Sequence, residues 1–226
     1  MTMQGRTALI AGASGLVGSE LLAALLNDVR YSAVTSIGRR LLAVDHPKLQ
    51  QRVVDFTAIP DLGPADDVFI ALGTTRKVAG SDAAMRAVDV DAVVAVAAAA
   101  GKSGAQRIGV VSSMGANAQS PMFYPRIKAE MEAAIIQLGF RQTVIARPSQ
   151  LSGPRELLGQ PHRAGERIAL ALMGWLRPLI PAKYRVISSG SVAWSLLDAV
   201  ARDEPGVRYL SSAQMQRSPR ATQAAG

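Results

Sequence analysis

Residues 8–18 read Ala8-Leu9-Ile10-Ala11-Gly12-Ala13-Ser14-Gly15-Leu16-Val17-Gly18, an apolar β-type stretch that passes through a glycine turn into a helical pattern. Gly12 allows the tight turn, Gly15 lets the backbone approach a diphosphate, and Gly18 lets the helix pack against the strand. A helix opening at Leu16 offers free N–H groups and a positive dipole end to phosphate oxygens. Three glycines so spaced carry little weight alone. Placed between a strand and a helix near the head of the chain, they mark a dinucleotide-binding turn. Gly12, Ser14, Gly15, Leu16, Val17 and Gly18 are then the residues around the phosphates.

The pattern continues outward from this turn. Strands are expected at Thr7–Ala11, Ala33–Ile37, Arg52–Asp55, Val68–Leu72, Arg107–Val111 and Thr143–Ala146. Most are near-continuous Val, Ile, Leu and Ala, as when helices cover both faces of a parallel sheet. Helical periodicity lies between them, over Leu16–Asn27, Asp82–Ala100 and Met122–Leu138, with Gly101 and Gly139 as stops. Such alternation predicts an α/β fold with a doubly wound parallel sheet. The rhythm changes after Pro148: prolines and glycines up to Pro161, helical runs over Ala164–Leu176 and Ser191–Ala201, and a last strand over Val207–Leu210. The expected organisation is one domain over residues 1–210 with a small substrate-side cap at 149–200. A polar, disordered tail is expected over 211–226.

Composition narrows the chemistry. The chain has 226 residues, 49% hydrophobic and 19% charged, enough for a sizeable core. It has no cysteine, which removes disulfides, a thiolate nucleophile and cysteine-ligated metals; two distant histidines, His46 and His162, make no metal centre. The net charge of +8 suits nucleic acid, an anionic surface or a phosphorylated ligand. Aromatics at 4% and scattered basic residues argue against nucleic acid. The longest apolar runs, Ala92–Ala100 and Ile168–Leu176, hold nine residues each. A transmembrane helix needs about 20. With no recognisable leader, the expectation is a soluble, cytoplasmic protein.

Two further groups of residues speak to cofactor and reaction. About 20 residues past a dinucleotide turn stands the side chain that reads the adenosine ribose, an Asp or Glu where NAD is bound. Here Gly38-Arg39-Arg40 stands there, and two guanidiniums suit a 2′-phosphate, so NADP(H) is expected over NAD(H). By position, Asp55 and Phe56 would flank the adenine, and Gly73, Thr74 and Thr75 the middle of the cofactor. Val111-Ser112-Ser113 ends the fifth strand, and Tyr124 and Lys128 follow one helical turn apart. An ammonium one turn from a phenol stabilises its phenolate, and a serine at the strand end can hydrogen-bond a substrate oxygen. The structural alternative pairs Lys128 with Glu132 at i,i+4.

On these residues the chain resembles the short-chain dehydrogenase/reductase superfamily, in its atypical, extended-like branch, and most of all the Tat-interacting-protein-like family of NADPH-binding Rossmann proteins. The resemblance rests on Gly12–Gly18, Val54-Asp55-Phe56, Ala71–Thr75, Val88-Asp89, Val111–Ser113, Tyr124–Lys128 with Glu130, and Arg147-Pro148. It implies Tyr124 as proton donor and acceptor, Lys128 on the nicotinamide ribose, and Ser113 or Ser112 on the substrate carbonyl. Ser112, Tyr124, Lys128, Arg147 and Pro148 are also implied at the cofactor. Asp89 departs from the structural asparagine of many relatives, which puts a relay through that amide in question. Ser149 likewise replaces a common glycine.

The expected function is hydride transfer between NADP(H) and a carbonyl or alcohol substrate. An NADPH-binding regulator or scaffold with little turnover is the alternative, and a sugar-nucleotide epimerase or dehydratase a weaker one. Residues 151–185 carry six basic side chains against Glu156 and Glu166, half of the chain's excess charge, and suit an anionic substrate or a solvated surface. The apolar run from Ile168 through Pro181 reads as a cap helix, with a membrane surface or a homodimer contact as the other readings.

Overall fold

The apolar runs become strands whose two faces feed two separate cores. The computed structural model describes residues 5–152 and 185–217. The chain runs β1 (Arg6–Ala11), α1 (Leu16–Asn27), β2 (Tyr31–Gly38), β3 (Leu49–Val53), β4 (Asp67–Ile70) and a short α2 (Arg76–Ala79). It continues through α3 (Asp82–Arg86), a π-helical turn (Ala87–Ala92), α4 (Val93–Lys102), β5 (Arg107–Val111), α5 (Phe123–Gln137) and β6 (Gln142–Arg147). Then come β7 (Leu151–Ser152), β8 (Ile187–Ser188), α6 (Ser189–Ala201), β9 (Gly206–Ser211) and α7 (Ser212–Gln216).

The main sheet has seven strands in the order β3-β2-β1-β4-β5-β6-β9, every pair parallel. β7 and β8 form a separate parallel pair. Alternate residues of one strand face opposite layers, as the period of two requires. Ala8 and Ile10 of β1 join the core under α1 and α6, while Leu9 and Ala11 join the core under α4 and α5. Phe69 and Val144 go to the first core, and Val68, Ile70 and Ile145 to the second. Full burial of each such side chain contributes about 1.5–3 kcal/mol. The strand order reverses between β1, which pairs with β2, and β4. A crevice at that switch point, at the carboxyl ends of the strands, is where doubly wound sheets bind ligands.

The opposite end of the sheet is held by a buried carboxylate. Asp67, 0% exposed, accepts from the Tyr31 hydroxyl at 2.5 Å and from the Arg107 guanidinium. Arg107 also reaches Asp203 at 3.1 Å. Burial, then the nearby Asp67 charge, pushes the Tyr31 phenol well above its ordinary range.

Three expectations shift. The third strand starts earlier, because Leu49, Gln50 and Gln51 pair with Val34, Thr35 and Ser36 of β2; edge pairing overrides the polar character of the segment. The helix expected over Asp82–Ala100 is interrupted by the π-helical turn at Ala87–Ala92. The disordered tail does not begin at Ser211. Instead Ser211 ends β9 and caps α7, its hydroxyl accepting from the Gln214 N–H while the Gln214 side chain accepts from the Ser211 N–H. The Ala164–Leu176 run and the greater part of the expected cap lie outside the described residues.

Asp67→Ala removes the acceptor of the Tyr31 hydroxyl and leaves Arg107 with Asp203 alone, and is expected to cost about 3 kcal/mol in urea unfolding. Gly18→Ala places a Cβ 2.0 Å from the Gly12 carbonyl oxygen, so lower stability and a displaced glycine turn are expected, the first read by thermal unfolding and the second by amide chemical shifts.

Candidate active site

At the switch point the glycine turn is built without tolerance. Gly12 has φ +91°, and a Cβ there would lie 2.6 Å from the backbone of Ala71. Only hydrogen fits where β1 turns over the end of β4. At Gly15 a Cβ would make only ordinary contacts, with the carbonyl oxygens of Gly12 at 3.4 Å and Ala71 at 3.9 Å, and the residue is part-exposed to the space outside the turn. Gly15 caps α1 with no side-chain hydrogen bond, which leaves the first-turn N–H groups facing that space. Ser14 is exposed beside them, whereas Val17 sends its side chain into the core and offers only its backbone. A diphosphate fits this cradle on the donor chemistry of the free amides.

Arg39 and Arg40 follow β2, both exposed and without an ion-pair partner among the described residues. Asp55 is exposed, and its Oδ1 accepts from the N–H and hydroxyl of Thr57 at 2.9 and 2.8 Å. The backbone bond first, then the hydroxyl, holds that carboxyl below its usual range. Asp55 thus shapes its own loop, and Phe56 packs against the second core. Both remain beside the expected adenine side by position alone. Thr75 caps α2 by accepting from the Val78 N–H at 3.3 Å.

On α5 the buried stripe Ile127, Met131 and Ile135 fastens the helix to the sheet. Tyr124, 38% exposed, lies in the first turn, and the Lys128 Nζ sits 5.8 Å from its ring centre. Lys128 is 2% exposed and does not pair with Glu132, as the i,i+4 alternative required. Its Nζ lies 2.7 Å from Oδ1 of Asp89, a carboxylate 1% exposed on the π-helical turn. Oδ2 of the same Asp89 accepts from the Thr74 N–H at 2.9 Å. One acid therefore holds both the lysine and the loop that was expected to line the cofactor. A relay through an asparagine amide is replaced by an ion pair.

Glu132 is the second buried acid of this wall. It accepts from the Ser112 hydroxyl at 2.5 Å and takes Arg147 by two guanidinium nitrogens at 3.0 and 2.5 Å. The Arg147 guanidinium lies 4.4 Å from the centre of the Tyr209 ring, and the hydrogen bonds it donates to Glu132 hold its pKa up. The polar ends of Ser112 and Arg147, both expected at the cofactor, are thus turned into the protein, where they tie β5 and β6 to α5. Pro148 contributes its carbonyl to the Met114 N–H at 2.8 Å. Ser113 stands between these anchors, half-buried, its hydroxyl on the Met114 carbonyl at 3.2 Å. That bond stays with the neighbouring residue, whereas the Ser112 hydroxyl is committed to the buried Glu132.

The sequence contained signals for the missed partners. Asp89 falls four residues after Met85 and four before Val93, on the buried stripe of its helix. Glu132 continues the Ile127–Met131 stripe of α5. A carboxylate on an apolar face needs a cation or donor to receive it. The periodicity marked both as buried, and only the packing named their partners.

The family described as NAD(P)H-binding matches residues 12–152. The chain is 37% identical to Protein HTATIP2 of Rattus norvegicus over 181 residues, 77% of this chain and 73% of that one. It is 34% identical to Protein FMP52, mitochondrial, of Candida albicans over 176 residues, covering 74% and 76%. Among solved structures it is similar in fold to a UDP-N-acetylglucosamine 4-epimerase from Methanobrevibacter ruminantium, with a TM-score of 0.68, 19% identity and coverage of 92% and 77%. MoeE5 in complex with UDP-glucose and NAD gives a TM-score of 0.67 at 20% identity, covering 90% and 75%. The cytoplasmic expectation is corrected by the FMP52 relatives, which are named mitochondrial and point away from a purely cytoplasmic location. Apolar length tests for a secretory leader or a membrane span and not for an amphipathic, Arg-rich organellar signal. Among the described residues no helix is long and apolar enough to cross a membrane. With a Rossmann sheet, the glycine turn and this kinship together, the chain belongs to the NAD(P)H-binding family that includes HTATIP2 and FMP52.

Proposed function

We propose that the chain is an NADP(H)-dependent oxidoreductase acting on a carbonyl or alcohol. The observation that carries this reading is the half-exposed Tyr124 ring beside the buried Lys128 ammonium, on a helix fastened to the carboxyl ends of β5 and β6. The first-turn amides of α1 would hold the diphosphate, and Arg39 and Arg40 the 2′-phosphate. The bound nicotinamide supplies or accepts hydride at the substrate carbon.

In the reducing direction the carbonyl oxygen gains negative charge as its carbon is reduced. Tyr124 gives its phenolic proton to that oxygen, and Ser113 donates a hydrogen bond to the same atom. Lys128 favours the phenolate left behind. An ammonium has three donors. With one on Asp89, two remain for ribose hydroxyls. Glu132 keeps Ser112 and Arg147 in place, which sets the backbone on either side of Ser113. The oxidising direction runs the same proton back to Tyr124.

Turnover of NADPH with a panel of aldehydes, ketones and quinones tests the chemistry. Tyr124→Phe is expected to lower kcat by about 10²–10⁴-fold with cofactor affinity retained. Full cofactor affinity with no turnover of any carbonyl by the unmodified protein would assign a cofactor-binding role without catalysis. Arg39→Ala and Arg40→Ala are each expected to weaken NADPH binding by about 10- to 100-fold and leave NADH binding unchanged, measured by calorimetry. Equal affinity of the unmodified protein for NADPH and NADH would overturn the choice of cofactor.

A further inference from the structure

Asp89 is a buried carboxylate for which the proposed chemistry has no direct use, yet it is the acid nearest the Lys128 ammonium. Its Oδ1 is 2.7 Å from that ammonium, and a Cβ built on Gly73 would lie 3.5 Å from the same oxygen. Asp89 thus sits immediately behind the strip Ala71–Thr75, which follows β4 and meets the glycine turn at Gly12.

Among the described residues, the charges of α3, the π-helical turn, α5 and β6 on this wall are paired with opposite charges, except that of Arg126. On α5, Lys128 has Asp89, and Glu132 has Arg147 from β6. On the outer side, Arg86 of α3 holds Glu130 of α5 through two bonds of 2.6 and 2.7 Å. Arg86 also lies 3.7 Å from Asp91 of the π-helical turn. Arg126, on the first turns of α5, is directed to the carbonyls of Ser120 and Pro121. The loop over residues 73–75 and the β5 end at Ser112 and Ser113 bring no charge. An asparagine at position 89 would leave the Lys128 ammonium uncompensated in a buried place, where solvent screens it least.

The two forms of a nicotinamide cofactor differ by one positive charge on the ring that is to lie beside Tyr124 and Lys128. We infer that Asp89 sets the redox-state preference of the site: by cancelling the Lys128 charge behind the Gly73–Thr75 strip, it lets the chain hold the positively charged oxidised nicotinamide as readily as the reduced one. The inference rests on the proposed cofactor reading. Asp89 acts through Lys128 and is a specificity-determining, positioning residue.

The test is the ratio of dissociation constants for NADP⁺ and NADPH, by calorimetry and by NADPH fluorescence, in the unmodified protein and in Asp89→Asn, with circular dichroism to verify folding. In Asp89→Asn the ratio is expected to move toward NADPH by about ten- to a hundredfold, the size of one unit charge several ångströms from the ring at the effective dielectric of a partly buried site. Equal weakening of both forms, or an unmoved ratio, would mean that Asp89 merely supports the fold and overturns the inference. The unmodified protein gives an arm that needs no variant. A neutral wall predicts affinities for the two forms within about tenfold of each other, and a preference for NADPH beyond about a hundredfold overturns the inference. If the unmodified protein binds neither form, the cofactor reading falls and the inference with it. If it binds both and the variant's ratio does not move, the inference falls alone.

Discussion

The close approach of α1 to the turn that ends β1 is the constraint on which the rest of the site depends. A Cβ on Gly18 would lie 2.0 Å from the Gly12 carbonyl oxygen, and one on Gly12 would lie 2.6 Å from the Ala71 backbone. Hydrogen at both positions lets the helix rise directly from the strand and lets the end of β4 pass beneath. That places the open amides of the first helical turn at the point where the sheet order reverses. A larger residue at either position would move the helix end, and with it the backbone amides suited to a diphosphate.

The Tyr124 side of the cleft rests on a different principle. Two acids that water would normally keep are buried there, and each is committed to more than one partner. Asp89 binds the lysine and the Thr74 amide; Glu132 binds a serine and an arginine. Breaking such a pair by removing one partner costs about 3–5 kcal/mol, because the remaining charge is left without water or counter-charge. The cost makes the arrangement stiff. It ties the ends of β4, β5 and β6 to α5, so that Tyr124 stands on a platform whose parts cannot shift independently. The π-helical turn belongs to the same arrangement, since π turns carry an extra residue per turn and redirect the side chains they contain. Asp89 lies within that turn.

Much of this was legible in residue order. The glycine turn, the span of α1, β5 and the alternation of strands with helices follow from local periodicity and from the special conformations of glycine. Edge strand β3 was read late because its residues are polar, and its pairing with β2 is a property of the neighbour. The π turn was read as ordinary helix because both share nearly the same apolar spacing. Ser112 and Arg147 were placed at the cofactor by the family resemblance, whereas their hydrogen bonds run to a glutamate on another element.

The sequence by itself determined the sheet class, the phosphate-facing turn and the tyrosine–lysine pair, because each is written in residues a few positions apart whose geometry is set by the backbone. Tertiary structure alone decided which acid meets which base. Along the chain only Glu132 stood within reach of Lys128, one helical turn away, whereas Asp89 meets it across the packing of two helices. The choice went to Asp89 because the buried face of α5 brings Lys128 against the π turn, while Glu132, one turn further on, is already saturated by Ser112 and Arg147.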